Sequence, residues 1–393
     1  HIINYFMLNK KRKAAGGMKC NLLMALMQLD IGGAETHVVE LSKELAKRGY
    51  KITVVSNGGV YVKELEDAGI KHYTLPLHSK KPGDMIKSYK GLRQIIKDEN
   101  IELVHSHARI PSFLLGRLHK KMKFPFVTTA HWVFETGHGL KYLTDWGEKT
   151  VAVSEDIKKY LMDNYKTKEE DIFVTINGID TEKFSDKLDS SEVCREFDLD
   201  KDGNNIVYIS RMDEDRSLVA KLLIDAVEAL DKIIENLNLL IVGGGNDFDR
   251  VNELAENVNK KLGRNAIKLA GARVDIANLI SPAKLFVGVS RSALEAMAEA
   301  KPVIIAGNEG YIGLFDEDKL QIGIDTNFCC RGCEKSTEER LTQEIGEFFG
   351  MWDDDVKRIS QYGRNLIKER YSVKRMADDT EKAYKACLKK HKK

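Results

Sequence analysis

A chain of 393 residues with 42% hydrophobic and 31% charged side chains exceeds one ordinary core and is too apolar to stay disordered, so two globular domains of about 150–200 residues are expected. The net charge of +2 speaks for no nucleic-acid partner, and no apolar run approaches the roughly 20 residues of a membrane span. That small net charge hides an asymmetry: residues 1–185 carry 29 Lys/Arg against 22 Asp/Glu, and the remainder 33 against 38.

Ile2–Leu8 is apolar and is followed by Lys10–Lys13. The charges come after the apolar run, which is the wrong order for a signal peptide. Residues 1–17 are therefore expected to be an extension before the folded domain, with Met18 a natural start; a weak basic membrane contact is the rival reading. From Lys19 onward strand and helix patterns alternate. Asn21–Met27 reads as a strand, Gly32-Gly33 as a turn, and Ala34–Lys47 as a helix with Val38, Leu41 and Leu45 on one face. Ile52–Ser56, Leu103–His107, Phe126–Ala130 and Val151–Ser154 follow as strands. Helical stretches near Val62–Ala68, Met85–Asp98, Pro111–Lys120 and Glu155–Asn164 separate them. Repeated βα units with near-continuous apolar strands predict a parallel sheet covered on both faces.

The polar segment Thr181–Gly203 precedes a second series. It comprises strand Asn205–Ser210, helix Leu218–Leu230, strand Leu239–Val242 ending in Gly243-Gly244-Gly245, helix Phe248–Leu262, strand Ile267–Leu269, strand Leu285–Val289, a helix from Ser292, strand Pro302–Ala306, and helices near Glu338–Phe349 and Asp355–Glu369. The predicted fold class is α/β, with two doubly wound, Rossmann-like domains facing a central cleft. Their expected bounds are 18–185 and 186–370, with a last helix in 371–393. The six cysteines suggest a reduced, cytoplasmic protein. Cys329, Cys330 and Cys333 are clustered but lack a fourth ligand at metal spacing.

In such sheets ligands bind beyond the carboxyl ends of the strands. Gly32 and Gly33 let backbone approach a ligand at a helix start, or simply make a tight turn. His131 follows a strand and is placed to hydrogen-bond a sugar hydroxyl or the reacting centre; His105 and His107 read more readily as satisfied polar groups. Arg211 and Arg216 stand five apart beyond a strand, suited to gripping a diphosphate, or else paired with Asp213, Glu214 and Asp215. The turn Ser290–Glu295 offers a helix N-terminus to a phosphate, with Glu295 one turn in, near an attached ribose. The same Ser292 and Glu295 fit a capping box.

In order, GGAETHVVELSKELAKRGYKITVV, VHSH, TTAH, VAVSE, INGIDTEKF, SRMDEDRS, LLIVGGG and ALEAMAEAKPVI resemble the family-four (group 1) retaining glycosyltransferases, which have the GT-B fold. The resemblance implies that Gly32 and Gly33 lie near donor phosphates and acceptor, and that His131 contacts the transferred sugar. It assigns Arg211 and Arg216, the latter in place of a lysine, to the donor diphosphate. Gly243, Gly244, Ser290, Arg291, Ser292, Ala293 and Leu294 fall to nucleotide binding, Glu295 to the ribose, and the backbone at Ala272 and Arg273 to the base. Asn177-Gly178 matches the family's P-N-G turn with Ile176 in place of proline. RYSVKRMADDTEKAYKACL matches its terminal helix.

One element of the pattern is missing. Eight residues before Glu295 stands Val287, so the family's E-x7-E motif is shortened and its first glutamate absent. The turn Arg291-Ser292-Ala293 resembles instead that of inverting lipid-linked GlcNAc transferases, also GT-B. The expectation is a sugar transferase, cytoplasmic or peripheral at the inner membrane face. Its donor is a nucleotide sugar, UDP-linked, and its acceptor a glycan, a lipid-linked sugar or another cell-envelope component. No cofactor and no metal ion is expected. The alternatives are a catalytically silent nucleotide-sugar-binding subunit and a sugar-nucleotide epimerase.

Overall fold

Runs of branched and aromatic side chains bounded by turn residues set the strands, and amphipathic stretches between them cross over and cover the sheets. The computed structural model describes residues 19–134, 136–137 and 139–391. The expected extension 1–17 and the start at Met18 lie outside the described residues. Two compact units are formed, one from residues up to Gly178 together with Val373 onward, the other from Ile179–Ser372.

The first unit contains β1 (Asn21–Ala25), β2 (Lys51–Ser56), β3 (Lys71–Thr74), β4 (Leu103–Ser106), β5 (Phe126–Ala130), β6 (Lys149–Ala152) and β7 (Ile172–Val174). They form one sheet in the order β3-β2-β1-β4-β5-β6-β7, parallel throughout. Alternate side chains face opposite cores. Leu22, Met24, Ile52, Val54, Leu103, Val127 and Val151 pack with Val38, Leu41 and Leu45 of helix Gly33–Lys47 and with Met376, Ala383 and Tyr384 of helix Val373–Lys390. Leu23, Ala25, Val55, Val104 and Phe126 pack on the other face with Leu92, Ile95, Leu114 and Leu118.

The second unit contains β8 (Asn205–Ile209), β9 (Asn238–Val242), β10 (Ile267–Leu269), β11 (Leu285–Gly288), β12 (Val303–Gly307) and β13 (Gly310–Leu314). Their order is β10-β9-β8-β11-β12-β13, all parallel except β13, which runs antiparallel to β12. Ile206, Tyr208, Leu239, Ile241, Val287 and Ile304 form its core with Leu223, Val227 and Leu230 of helix Leu218–Leu230 and with Leu341, Ile345 and Phe348 of helix Glu338–Phe349. No described helix is long and apolar enough to cross a membrane.

Candidate functional site

Strand order reverses between β1 and β4 in the first sheet and between β8 and β11 in the second. Such reversals open a crevice beyond the carboxyl ends of the strands, because the connections leave toward opposite sides.

At the first reversal the chain leaves β1 and enters helix Gly33–Lys47 through Gly32, which is extended at φ −175° and ψ 161°. The Gly32 carbonyl accepts from Thr36 N at 3.0 Å and Thr36 Oγ1 at 2.8 Å. A Cβ on Gly33 would meet nothing within 4 Å, so this side of the helix start is open. Beyond β4 and β5 lies a set of histidines. His105 belongs to the core, with Nδ1 2.7 Å from Tyr384 Oη and Nε2 2.7 Å from Thr129 Oγ1. His107 Nδ1 lies 3.1 Å from His131 Nε2. His37, on the helix, is fully buried and donates Nδ1–H to Asn177 Oδ1 at 3.1 Å. Its ring stands edge-on to His131 with centroids 4.7 Å apart. Burial, reinforced by the neighbouring rings, holds His107 and His131 well below the ordinary imidazole value and His105 at about 3. These rings are neutral near pH 7, suited to hydrogen bonding with hydroxyls.

At the second reversal Arg211 follows β8, its Nε 2.8 Å from Asp213 Oδ2. Arg216 Nε stands 3.9 Å from Asp215 Oδ2. Both arginines are more than half exposed. The reading that paired them with the aspartates of their own loop is the arrangement the structure shows. Exposed pairs of this kind contribute about 0–1 kcal/mol.

Gly243 and Gly245, after β9, make room for this loop. A Cβ on Gly243, at φ +140°, would lie 1.7 Å from Ser210 O, and one on Gly245 2.3 Å from Met212 O. Gly244 O accepts from Met212 N at 3.0 Å, and a Cβ on Gly244 would come 3.1 Å from that of Ala272. The glycine run thus seats the arginine loop. The Arg273 guanidinium is held by Asp275, at 2.8 Å through both Nε and Nη2, and by Glu196, leaving the backbone at Ala272 and Arg273 as the part that can face a base.

The turn after β11 differs from expectation. The helix spans Ser290–Ala298 and starts two residues before Ser292, with Val289 as a cap that makes no side-chain bond. Ser292 is therefore inside the first turn, and its hydroxyl donates to Val289 O at 3.0 Å. Glu295 does not return to a cap; it is buried and pairs with Arg291, Nε to Oε1 at 2.8 Å. The capping box is absent, because one residue cannot cap a helix it lies within. Ser290 takes φ +51°, a conformation that L residues rarely adopt. Its N–H is fixed to Phe328 O at 2.6 Å. The first-turn N–H groups of Arg291 and Ser292 have no helical carbonyl four residues before them. Ala293 and Leu294 are buried beneath them. Val287 is fully buried in β11.

Among the described residues, the groups able to converge on a metal ion are His37, His107 and His131, and Glu148, Cys387 and His391. The cluster Cys329, Cys330 and Cys333 is not among them. His37 and its partner Asn177 are the members of the first-unit site that spacing in the chain does not reveal. A single histidine on an apolar helix face gives no signal until the fold places it.

Residues 31–183 match the family Glycosyltransferase Family 4, and residues 203–322 match Glycosyl transferases group 1. N-acetyl-alpha-D-glucosaminyl L-malate synthase of Bacillus anthracis is 23% identical over 357 residues, covering 81% of this chain and 88% of that protein. The crystal structure of a glycosyltransferase from Rickettsia africae ESF-5 matches with a TM-score of 0.75 at 26% identity, over 94% of this chain and 99% of that one. Anabaena HepE, crystallised in complex with UDP, shares the fold at a TM-score of 0.68 and 16% identity, over 93% of this chain and all of that one. With both units matched in chain order and two doubly wound sheets of GT-B type, the chain belongs to the family 4, group 1 glycosyltransferases.

Proposed function

We propose that the chain transfers a sugar from a UDP-linked donor to a glycan, lipid-linked or other cell-envelope acceptor, with retention at the anomeric carbon and without a metal ion. The observation that carries this reading is the reversal point of the second sheet, where the arginine loop after β8 and the strained helix start after β11 stand on neighbouring strands. A diphosphate there draws Arg211 and Arg216 away from their weak aspartate partners, and the two cations offset the charge that grows as the glycosidic bond breaks. The amides at the helix start assist. Glu295, oriented by Arg291, accepts from the ribose, and backbone at Ala272 and Arg273 meets the base. His131 takes a hydroxyl of the transferred sugar, and Gly32 and Gly33 leave space for phosphate and acceptor. The acceptor attacks from the leaving group's own side, with no covalent enzyme intermediate.

The test is a thermal-shift screen of nucleotides and nucleotide sugars followed by turnover of Arg211→Ala. A donor at 100 times its Kd should add about 2.7 kcal/mol of stability. Loss of one preorganised donor to the diphosphate is worth about 3 kcal/mol of barrier, so Arg211→Ala should slow transfer roughly a hundredfold while leaving the unliganded melting temperature unchanged. A near-normal rate removes the assignment. Stabilisation by a UDP-sugar with neither transfer nor donor hydrolysis would identify a silent binding subunit, and isomerised donor without acceptor an epimerase.

A further inference from the structure

We propose that the first unit binds a divalent metal ion of the zinc class at Glu148, Cys387 and His391, where the ion clamps the terminal helix to the sheet. One ligand atom from each lies within 4.8 Å of the other two. Cys387 stands in the last turn of helix Val373–Lys390, and His391 directly follows that helix. Four residues apart, the two side chains fall on one face. Glu148 immediately precedes β6 and is anchored at the start of β5, its backbone N–H donating to Phe126 O at 2.8 Å. All three belong to the first unit.

Both helix-borne groups meet the same carboxylate oxygen. Glu148 Oε2 lies 3.6 Å from Cys387 Sγ and 2.5 Å from His391 Nε2. Zinc holds sulfur at about 2.3 Å, nitrogen at about 2.0–2.1 Å and oxygen at about 2.0–2.2 Å, which in a tetrahedron puts sulfur and oxygen about 3.6 Å apart and nitrogen and oxygen about 3.4 Å apart. The sulfur already stands at that separation, and about 0.9 Å of movement by the exposed His391 sets the nitrogen on the same geometry. The protons between these groups thus occupy the place of an ion. On binding, the Cys387 thiol proton leaves to solvent as the metal–sulfur bond forms, and His391 carries its proton on Nδ1.

The surroundings suit a cation. A thiolate and a carboxylate balance the two positive charges of the ion beside the buried Cys387, where an unbalanced charge is costly. The C-terminal end of the helix adds the negative end of its dipole. Outer contacts orient the carboxylate, with Phe126 N–H donating to Oε2 at 3.4 Å and Lys390 Nζ 3.1 Å from Oε1, as around other metal ligands. A set of sulfur, nitrogen and oxygen donors selects zinc over magnesium and calcium, and the fourth position falls to water. The other convergent group, His37, His107 and His131, offers no anion. Phe126 and Glu148 lie at the amino ends of β5 and β6, opposite the carboxyl ends where the crevice opens. The ion therefore stabilises the unit and takes no part in transfer, and its binding does not depend on the proposed function.

The test is titration of the metal-free full chain with Co2+ and then Zn2+. One equivalent of Co2+ should produce the visible absorption of a four-coordinate site together with a near-ultraviolet thiolate-to-cobalt band, and Zn2+ should abolish both while raising the melting temperature. Cys387→Ser should remove the near-ultraviolet band. His391→Gln and Glu148→Gln should each weaken Zn2+ binding by more than the 10- to 100-fold that loss of an outer contact causes, and none of the three should keep the rise in melting temperature. His131→Asn and Cys333→Ser should leave both bands intact. Urea melts of the metal-free variants that match the metal-free wild type check that each is folded. A weak six-coordinate spectrum in the wild type, or a near-ultraviolet band that survives Cys387→Ser, overturns the site. Loss of the bands in His131→Asn or Cys333→Ser overturns it too, by placing the ion at another cluster.

Discussion

At the residue scale, two glycines separate space for a ligand from space for backbone. Gly33→Ala adds a methyl group into open space at the first helical position and should hold or slightly raise the melting temperature; on the proposed function it should lower kcat/KM, the methyl group entering the room assigned there to the donor phosphates. Gly243→Ala forces a methyl group to 1.7 Å from Ser210 O at φ +140°, so stability and UDP binding should fall together as the arginine loop is displaced. Equal effects of the two on stability would contradict this division. Glu299 sets a pH dependence. Its carboxyl is buried, both oxygens lack hydrogen-bond partners among the described residues, and burial pushes it up to about 9, with Lys301 opposing and Glu295 adding. The folded state therefore holds a proton that the unfolded chain releases near pH 4.5. This contribution to stability is fully present below pH 4.5 and is lost as pH rises toward 9. Glu299→Gln should match the wild type at pH 4.5 and exceed it by on the order of 3 kcal/mol at pH 8, a difference that denaturant melts at the two pH values measure.

At the element scale, the terminal helix Val373–Lys390 completes the first core. Tyr384 is fully buried and carries the hydrogen bond to His105. Tyr384→Ala should cost about 3–5 kcal/mol, as for other large buried aromatics, whereas Tyr384→Phe should cost about 1–3 kcal/mol by leaving a buried nitrogen unpaired. Equal losses in urea melts would show that packing around the ring is not what the helix supplies. The same contrast explains what was legible beforehand. The interior strand Phe126–Ala130 and helices such as Leu218–Leu230 and Phe248–Leu262 appear at their predicted bounds, and so does the edge strand Ile267–Leu269, whose first two residues are buried, because burial on a sheet or one helix face writes a strong apolar pattern. β3, β7 and β13 were missed. They are three to five residues long, β3 and β7 sit at the edges of the first sheet and β13 at the edge of the second, and the segment KHYT of β3 is only partly buried. The start of helix Ser290–Ala298 was misplaced because Ser292 and Glu295 form a capping pattern that the strained φ of Ser290 overrides. Arg211 and Arg216 were readable as paired cations, but which partner holds them is a matter of three-dimensional distance.

At the scale of the whole molecule, charge is distributed unevenly between the two halves of the chain. The excess of seven positive charges in residues 1–185 includes Arg117, Lys120 and Lys121, which line a cavity of about 710 Å³ with Tyr89, Phe113 and Tyr142, opposed by the single carboxylate of Asp145. Tyr142 is 88% exposed, and Leu143 beside it 45%. Cations flanked by exposed aromatic and aliphatic side chains are the chemistry of an anionic bilayer surface, where ring and chain enter the headgroup layer and the charges meet lipid phosphates. None of these side chains belongs to the candidate donor site, so membrane contact and nucleotide binding should be separable. The protein should float with vesicles containing anionic lipid and remain behind with zwitterionic ones. Its partition should fall as the Debye length shrinks from about 10 Å at 0.1 M salt to about 3 Å at 1 M. Each lysine near such a surface contributes about 1 kcal/mol, so Lys120→Ser with Lys121→Ser should weaken vesicle binding about 30-fold without changing stabilisation by UDP. Salt-independent binding, or equal binding to zwitterionic vesicles, would show that these cations meet something other than a membrane. A loss of UDP stabilisation in the double variant would show that they serve the donor.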